Sequence, residues 1–409
     1  MGTMSVDART RTHDDDRFRD IATFPREELP ALLDRYGPGA GEDLRRAGLR
    51  PLALEVDGQG FTLRAAAGTD GPLVAVDGVD DDAIAVELDA DEFSDLMQEL
   101  RTATALLTAG TTHVRNGTIL DVVAWEPVLR SALAGRRAHR PGAISLRDRD
   151  GAALDLHRTF GPDDDDTEIG TFLSEAGFVH LSGWYDPADM ARISADIDAA
   201  APNYQPGDQK SWWATIADGT RRLVRLQEFS EHSAATRELL DSDRHSRVAA
   251  LTGDGHSRPR NRRREIEALI KPIGVVQGIS DVPWHKDCSL GGHPYDCNAM
   301  TVGISVTDGD ADSGLLQVVA GSHRANIGTL FVDGLDLPVI DLPTQAGDIT
   351  IHLSCTMHRA NPPVTRERRV LYTSLQLPSR DGRPPLSGAA RAVRERAHRT
   401  ASQPPAVRR

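Results

Sequence analysis

The chain has 409 residues, of which 39% are hydrophobic and 26% charged, and its formal net charge is −14. The length predicts two domains, and the composition is that of a soluble globular protein. The acidic balance argues against a general nucleic-acid binder, and the lack of any run approaching 18 apolar residues argues against a transmembrane helix. Three cysteines are too few for a disulfide framework, so we expect a cytoplasmic protein.

The N-terminal part of the chain predicts a short disordered segment followed by a folded domain. Residues 1–21 are polar and charged without periodicity, which favours disorder, and they lack the apolar region of a secretory signal. Residues 22–135 predict an α+β domain. Two strands, Leu52–Val56 and Phe61–Leu63, are expected to form a hairpin through a turn at residues 57–60.

The rest of this domain predicts a strand, a helix and a second helix. Residues 83–88 alternate as in a strand, and Asp89 or Asp91 is the expected cap of a helix that carries Phe93 and Leu96 on one face. This order of elements, ending in the apolar stretch 119–133, resembles the sterol carrier protein fold. The resemblance implies an apolar cavity for a lipid-like ligand, and an unrelated α+β accessory domain is the alternative.

The remainder of the chain predicts a linker, a β-rich domain and a tail. Residues 136–165 are expected to be a linker because they hold arginines, Pro-Gly turns and a run of aspartates. Residues 166–380 open with a helix running into a strand, and then repeat short apolar runs between Gly, Pro and Asp turns. That pattern is typical of a jelly roll with flanking helices. Residues 381–409 form a basic tail.

The strongest chemical signal is His285-Lys286-Asp287, followed 71 residues after Asp287 by His358. His285 and Asp287 are two residues apart, so both side chains lie on the same face of a strand and can reach one metal ion. Two imidazoles and one carboxylate are the ligand set of non-haem Fe(II) oxygenases, although the same set also holds Zn²⁺ or Mn²⁺.

Several separated elements follow these residues in a fixed order. Residues 283–287 are followed by Gly321-Ser322-His323, Gly347-Asp348, His358, Asn361 and Arg369. Over residues 166–378 this order resembles the phytanoyl-CoA dioxygenase family of Fe(II)/2-oxoglutarate oxygenases. The resemblance implies a double-stranded β-helix (a jelly-roll or cupin-like fold), Fe(II) as cofactor, and 2-oxoglutarate and O₂ as cosubstrates, with release of succinate and CO₂.

The resemblance also implies a cosubstrate arginine at Arg369. An arginine buried in an apolar strand requires an anionic partner, and its planar fork can hold a carboxylate by two hydrogen bonds. Arg366 and Arg368 compete for this role, with Arg368 pointing to the opposite strand face. Lys271 belongs to a Lys-Pro element that often precedes the first metal strand in the family, so it is a second candidate for cosubstrate contact.

Two further comparisons with the family refine the metal site. His352 lies close to His358 in the sequence, but the family order of Gly-Asp, His and then Asn favours His358 with Asn361 and leaves His352 in a strand core. Related halogenases carry a small residue at the position of Asp287. The carboxylate therefore favours oxygen chemistry over halogenation.

The substrate pocket is less clearly marked. Trp212, Trp213 and Trp284 are candidates for its walls because aromatic walls are common, and ordinary core packing is the alternative for each. The loop 256–264 contains five arginines. It is either a site for a phosphate-bearing carrier such as coenzyme A or a solvated loop.

The sequence therefore predicts a 2-oxoglutarate-dependent dioxygenase that hydroxylates a small substrate, either hydrophobic or carrier-linked. Desaturation, cyclisation and epimerisation are alternative outcomes of the same chemistry. The competing class is a lipid- or acyl-binding protein whose jelly roll is a non-catalytic scaffold. The presence of both histidines, Asp287 and the arginine favours the enzyme.

Overall fold

The computed structural model describes most of both predicted domains. It covers residues 18–99, 101–109, 112–258, 265–278, 282–290, 299–330, 332 and 334–377. Three predictions concern residues outside these ranges: disorder at residues 1–17, the arginine-rich part of the loop at residues 259–264, and the basic tail. None of the helices in the described part of the chain is long and apolar enough to cross a membrane.

A five-stranded sheet forms the centre of the N-terminal domain. Its strands are β1 (Leu52–Val56), β2 (Gln59–Ala65), β3 (Leu73–Asp77), β4 (Ile84–Glu87) and β5 (His113–Arg115). They lie in the order β3-β2-β1-β4-β5, with β1 parallel to β4. The predicted hairpin of β1 and β2 is confirmed. Its two-residue loop is Asp57-Gly58, and both residues have positive φ (49° and 78°), as a type I′ turn requires.

Five helices accompany this sheet in the described residues. They are α1 (Phe24–Glu27), α2 (Leu29–Ala47), α3 (Ala90–Met97), α4 (Ala103–Ala109) and α5 (Ile119–Ala134). Asp89 caps α3: its side chain accepts from the backbone of Glu92, whose own side chain accepts from the backbone of Asp89. The capping box shows that Asp89, rather than Asp91, is the N-terminal cap of this helix.

Aromatic side chains fill the interior between the sheet and these helices. Phe93 meets Phe24 and Phe61 edge-to-face, with ring centroids 6.0 and 6.2 Å apart. Trp125 on α5 is fully buried, and its indole nitrogen donates to the carbonyl of Arg50 (2.8 Å). The α+β class predicted for this domain is therefore observed, whereas the sterol-carrier resemblance and its cavity remain predictions.

The segment predicted as a linker lies along the C-terminal domain. Leu146, Leu154 and Leu156 pack against the large hydrophobic core, and Phe160 is fully buried in it. Asp165, in the run of aspartates, accepts from the backbone of Glu168 and caps the helix that opens the next domain. Residues 136–165 are thus a packed connection rather than a free one.

The C-terminal domain contains four helices and eleven strands within the described residues. The helices are α6 (Asp166–Ala176), α7 (Pro187–Ala200), α8 (Ala234–Leu240) and α9 (Asp243–Ala250). The strands are β6 (Phe178–Leu181), β7 (Ser211–Ile216), β8 (Arg221–Leu226), β9 (Ile266–Lys271), β10 (Val275–Gln277), β11 (Met300–Ser305), β12 (Leu316–Val319), β13 (Val339–Leu342), β14 (Ile349–Leu353), β15 (His358–Ala360) and β16 (Arg368–Leu375).

These strands form two antiparallel sheets. The larger has the order β10-β7-β8-β9-β16-β11-β14-β6, and the smaller has the order β13-β12-β15. This arrangement agrees with the predicted mainly β domain of the jelly-roll type.

The two faces of the large sheet differ in character. On β11, Met300, Val302 and Ile304 are fully buried in the core that includes residues of α6 and α7. Thr301 and its alternate neighbours point to the other face. Thr301 pairs with His352 of β14 and Ser374 of β16, so every second residue from these positions shares that face. We call it the cup face; its members include Thr301, Gly303, His352, Arg368, Tyr372 and Ser374.

Candidate metal centre

The predicted metal ligands are brought together where the two sheets meet. His358 begins β15 of the small sheet, and His285 forms a two-way backbone bridge with it, each amide donating to the other carbonyl (3.0 Å). Asp287 begins a single 3₁₀ turn, Asp287–Leu290. The bridge holds the two imidazole rings 4.2 Å apart between centroids.

Three atoms converge at one point. Oδ1 of Asp287 lies 3.3 Å from Nε2 of His285 and 3.5 Å from Nε2 of His358. One ligand atom from each residue lies within 4.8 Å of the others, and both histidines are buried. The structure therefore places the three predicted ligands as one metal-binding group.

Backbone carbonyls fix the orientation of both imidazoles. Nδ1 of His285 donates to the carbonyl of Pro283 (2.8 Å), and Nδ1 of His358 donates to the carbonyl of Thr356 (2.9 Å). In each case the acceptor is two residues earlier in the chain. Because the Nδ1 atoms carry the protons, both Nε2 lone pairs are turned toward Asp287 and are free to bind a metal.

The other oxygen of Asp287 is held from the cup face. Oδ2 accepts from the hydroxyl of Thr301 (2.6 Å) and lies 3.3 Å from Nε2 of His352. Burial acts to raise the pKa of Asp287, but the imidazoles of His358, His285 and His352 outweigh burial and hold this pKa well below the usual range. Asp287 is therefore a carboxylate with Oδ1 directed at the two Nε2 atoms.

This donor set fits a divalent cation. Oδ1 of Asp287 lies only 3.3–3.5 Å from the two Nε2 atoms, so one cation can be bound by all three donor atoms. Two imidazoles and one carboxylate suit Fe(II), Mn²⁺ or Zn²⁺ and leave coordination positions open for small molecules. The arrangement thus supports metal-assisted chemistry on a bound ligand.

His352 is a fourth imidazole at the edge of this group. It is almost fully buried, and its ring centroid is 4.0 Å from that of His358. Its Nε2 faces Oδ2 of Asp287 rather than Oδ1. The expectation that His352 lies in a strand core holds for its position on β14, but its contact with Asp287 was not foreseen.

The structure places Arg369 on the face of the large sheet opposite the cup face. Its guanidinium pairs with Asp198 (2.8 Å) and donates to the backbone and hydroxyl oxygens of Ser194 (3.0 Å each), both on α7. It also bonds Glu367 (3.2 Å). Arg369 therefore joins β16 to a helix on the face opposite the cup, and its contact with a cosubstrate remains a prediction.

Its neighbour Arg368 faces the cup. It is 5% exposed, and its Nε and Nη2 make no hydrogen bond within the described part of the chain. Burial lowers the pKa of Arg368, while Tyr372 acts in the opposite direction. On β16, Tyr372 shares this face and lies between Arg368 and Ser374, the residue that pairs with Thr301. A buried cation with unused donors is a site for an anion.

Lys271 lies beside Arg368 on strand β9. The two residues are register partners, and the side chain of Lys271 is almost fully buried. Its ammonium donates to the carbonyls of Asn361 (2.5 Å) and Gly314 (3.4 Å). These bonds use Lys271 to join β9 to the segments around the small sheet, and its contact with a cosubstrate remains a prediction.

The three predicted pocket tryptophans occupy different places. Trp212 lies under the guanidinium of Arg225 (4.4 Å) and pairs with Arg225 across the strands, on the cup face. Trp213 packs against the large core and donates to Ser211 (2.8 Å). Trp284 belongs to a separate small cluster and lies under Arg359 (4.7 Å). Only Trp212 is therefore positioned on the cup face.

Other polar side chains of the cup face were not foreseen. Arg225 forms an ion pair with Glu267, and burial raises the pKa of Tyr372 so that its phenol stays protonated. Gly303 pairs with Tyr372 across the strands, and a Cβ at Gly303 would lie 3.0 Å from both the Tyr372 ring and the Thr350 hydroxyl. Alternation along β9 and β16 is the signal that could have found Glu267 and Tyr372.

Comparison with known proteins assigns the class of this domain. Residues 173–370 form a domain that matches the model of the phytanoyl-CoA dioxygenase (PhyH) family. A search of curated proteins found no match.

Several solved structures are similar to part of the chain. AviO1 from Streptomyces viridochromogenes Tue57 is 21% identical over 52% of this chain and 96% of its own, with a TM-score of 0.40. The epimerase SnoN, crystallised with Fe3+, alpha ketoglutarate and nogalamycin RO, is 18% identical over 51% and 82% (TM-score 0.40). EctD from S. alaskensis, crystallised with 2-oxoglutarate and 5-hydroxyectoine, is 16% identical over 59% and 86% (TM-score 0.43).

Proposed function

We propose that this protein is an Fe(II)- and 2-oxoglutarate-dependent dioxygenase that oxidises a small organic substrate, with hydroxylation as the expected outcome. The observation that carries the proposal is the convergence of Oδ1 of Asp287 with Nε2 of His285 and of His358. The family match of residues 173–370 supports the same reading. This function implies that the two sheets form a double-stranded β-helix.

In this proposal, His285, Asp287 and His358 hold Fe(II) through those three atoms. The bound metal supplies O₂ activation coupled to oxidation of 2-oxoglutarate, which yields succinate and CO₂. The protein orients the reactants and keeps water out. The backbone carbonyls behind each imidazole and the Thr301 hydroxyl behind Asp287 keep the ligand atoms aimed inward.

Arg368 is the residue proposed to bind the distal carboxylate of 2-oxoglutarate. It lies on the same sheet face as Thr301, is buried, and has unused donors. Gly309 allows close approach at this end of the pocket, because a Cβ there would lie 3.3 Å from the Arg368 side chain and 2.8 Å from the Thr344 hydroxyl. Tyr372, between Arg368 and Ser374 on β16, would form the wall along the cosubstrate.

The outer part of the cup face is proposed to receive the substrate. Trp212 supplies an aromatic wall, and the pair Arg225–Glu267 supplies both a cation and an anion. A lining of this kind favours a polar substrate over the purely hydrophobic one considered from the sequence. Coenzyme A linkage rests on the arginine-rich loop 256–264, of which only residues 256–258 are among the described residues.

The test is iron-dependent consumption of 2-oxoglutarate. The purified protein should convert 2-oxoglutarate to succinate only when Fe(II) and O₂ are present, and His285→Ala, Asp287→Ala and His358→Ala should each abolish this conversion. A panel of metabolites, scored for products that gain one oxygen atom, then identifies the substrate. Wild-type activity in Asp287→Ala would rule out the proposed centre. An inactive wild type that still binds metal would favour the scaffold alternative.

A further inference from the structure

Two cysteine side chains lie in contact beside the candidate metal centre. Sγ of Cys288 is 3.4 Å from Sγ of Cys355, and both residues are thiols. They are 67 positions apart in the chain, so the fold and not the local sequence brings them together. Neither belongs to the group of three ligand atoms described above. The third cysteine, Cys297, lies outside the described residues.

The two thiols belong to the two segments that carry the metal ligands. Cys288 is the second residue of the 3₁₀ turn that begins with Asp287. Cys355 lies in the connection between β14 and β15, three residues before His358. The amide of Cys288 donates to the carbonyl of Ser354 (3.2 Å), so a backbone hydrogen bond already holds the segments together beside the sulfur atoms. A bond between the sulfur atoms would join both segments covalently.

The surroundings of the two sulfur atoms differ. Cys355 is 1% exposed, and the residue after it is held on two sides. Thr356 donates from its hydroxyl to the carbonyl of Gly177 and from its amide to the carbonyl of Leu353 (2.7 Å each). Cys288 is partly exposed. A small oxidant from solvent therefore reaches Cys288 first, and Cys355 is placed as the resolving thiol.

From this geometry we propose that Cys288 and Cys355 are an oxidation site at which hydrogen peroxide produces a disulfide. In the first step, Sγ of Cys288 takes one oxygen atom from the peroxide. The O–O bond breaks, and a sulfenic acid and one water molecule form. In the second step, Sγ of Cys355 attacks that sulfur, the S–O bond breaks, and the hydroxyl leaves as water with the proton of the Cys355 thiol. The two thiols lose two electrons in total, and the peroxide is reduced to two water molecules.

The second step requires a small movement of the turn that carries Asp287. A disulfide has an S–S distance of about 2.05 Å, so the sulfur atoms must approach by about 1.4 Å. Because the segment of Cys355 is buried and hydrogen-bonded, we expect Cys288 and its turn to move. Asp287 is the neighbour of Cys288, and its carboxylate is oriented by the hydroxyl of Thr301 (2.6 Å). The disulfide should therefore displace Oδ1 of Asp287 and weaken metal binding.

The experiment treats the metal-free, full-length chain with hydrogen peroxide, removes the excess with catalase and maps the non-reduced peptides by mass spectrometry. We expect a disulfide between Cys288 and Cys355, and recovery of both thiols after treatment with dithiothreitol. The matched control Cys297→Ser should form the same disulfide. In Cys355→Ser, Cys288 should stop at the sulfenic acid, which dimedone traps. In Cys288→Ser, the buried Cys355 should remain a thiol.

Two results would overturn the oxidation site. One is that both thiols survive a peroxide dose that oxidises free cysteine, which would leave the 3.4 Å approach as a packing contact only. The other is a disulfide of either residue with Cys297 in place of the expected one. The result for the wild type decides, so a variant that does not fold leaves the test intact.

Co(II) binding tests the effect on the metal centre. The disulfide form should bind Co(II) about tenfold or more weakly than the reduced form, and reduction should restore the affinity. A variant with Cys288→Ser and Cys355→Ser should bind Co(II) equally with and without peroxide treatment. Equal affinity of the reduced and disulfide forms of the wild type would overturn this effect. A reduced wild type that binds no Co(II) would contradict the proposed function instead, since the disulfide itself does not depend on a metal.

Discussion

The hydroxyl of Thr301 donates to Oδ2 of Asp287 at 2.6 Å, and this bond leaves Oδ1 as the oxygen that faces both imidazoles. Thr301 thus fixes the rotation of the only anionic ligand. Mutation of a hydrogen-bond partner of a metal ligand typically lowers metal affinity by about 10- to 100-fold.

Thr301→Val should therefore weaken metal binding by about 10- to 100-fold with little loss of stability, because the substitution keeps the shape of the side chain and removes the donor. Thr301→Ser keeps the hydroxyl and should bind metal like the wild type. Chelator competition with Co(II) measures both variants. Equal affinity in all three proteins would mean that the carboxylate is oriented by other contacts.

Replacing adjacent arginines should separate cosubstrate binding from domain packing. Arg368→Met should raise the 2-oxoglutarate concentration needed for half-maximal activity by roughly 30-fold or more, since loss of a buried charge pair costs about 2 kcal/mol or more. Arg369→Met should leave this concentration nearly unchanged and reduce stability by about 1 kcal/mol or less, because its partner Asp198 is largely exposed. The reverse pattern would return the role to Arg369.

His352 should prove dispensable as a ligand. His352→Leu is expected to bind one metal ion per chain, because Nε2 of His352 faces the oxygen of Asp287 that Thr301 already holds. His358→Leu should lose that ion. Metal content after dialysis distinguishes them. Loss of metal in His352→Leu, with the fold intact by circular dichroism, would make His352 a fourth ligand.

Acid should destabilise the protein through a buried histidine remote from the metal group. Burial, aided by Arg258, lowers the pKa of His245 from 6.5 to about 4, and neither ring nitrogen has a partner within the described residues. The unfolded chain then binds a proton more readily than the folded one. This contribution to stability is complete above about pH 6.5 and is lost as the pH falls toward 4, by up to about 3 kcal/mol.

The variant His245→Leu should remove that part of the pH dependence. Denaturant titrations at about pH 7.5 and about pH 5 give the free energy of unfolding of each protein. Between these two pH values, the free energy of unfolding should fall less in the variant than in the wild type. His323, whose pKa burial also lowers to about 4, remains in both proteins and does not affect the comparison. Identical losses would show that His245 is not the responsive group.

Short-range patterns predicted much of the fold. The Asp57-Gly58 hairpin and the helix beginning after Asp89 follow from turn and cap chemistry, which depends on a few neighbouring residues. Helix α2 was not predicted because Pro38 and three glycines break its pattern, whereas packing against α5 and β3 stabilises it. Tertiary contacts override local preference there.

The metal ligands were predictable from the order of motifs along the chain, but the expectation that His285 and Asp287 share one strand is wrong, because Asp287 begins a 3₁₀ turn. The cosubstrate arginine is harder to select from the sequence. The distance from His358 to the cosubstrate arginine depends on the length of the intervening loop, and one residue moves a side chain to the opposite face of a strand. Only the register of β16 with β11 shows that Arg368, not Arg369, shares a face with Thr301.

The two kinds of support behind the ligands differ in how they tolerate mutation. Each imidazole is oriented by a main-chain carbonyl, at Pro283 and at Thr356, and a carbonyl is present whatever amino acid occupies those positions. Asp287 depends instead on a hydroxyl that a single codon change at residue 301 can delete. Substitutions at residues 283 and 356 can therefore leave the orientation of both imidazoles largely unchanged. A single substitution at residue 301 can instead change the orientation of the Asp287 carboxylate.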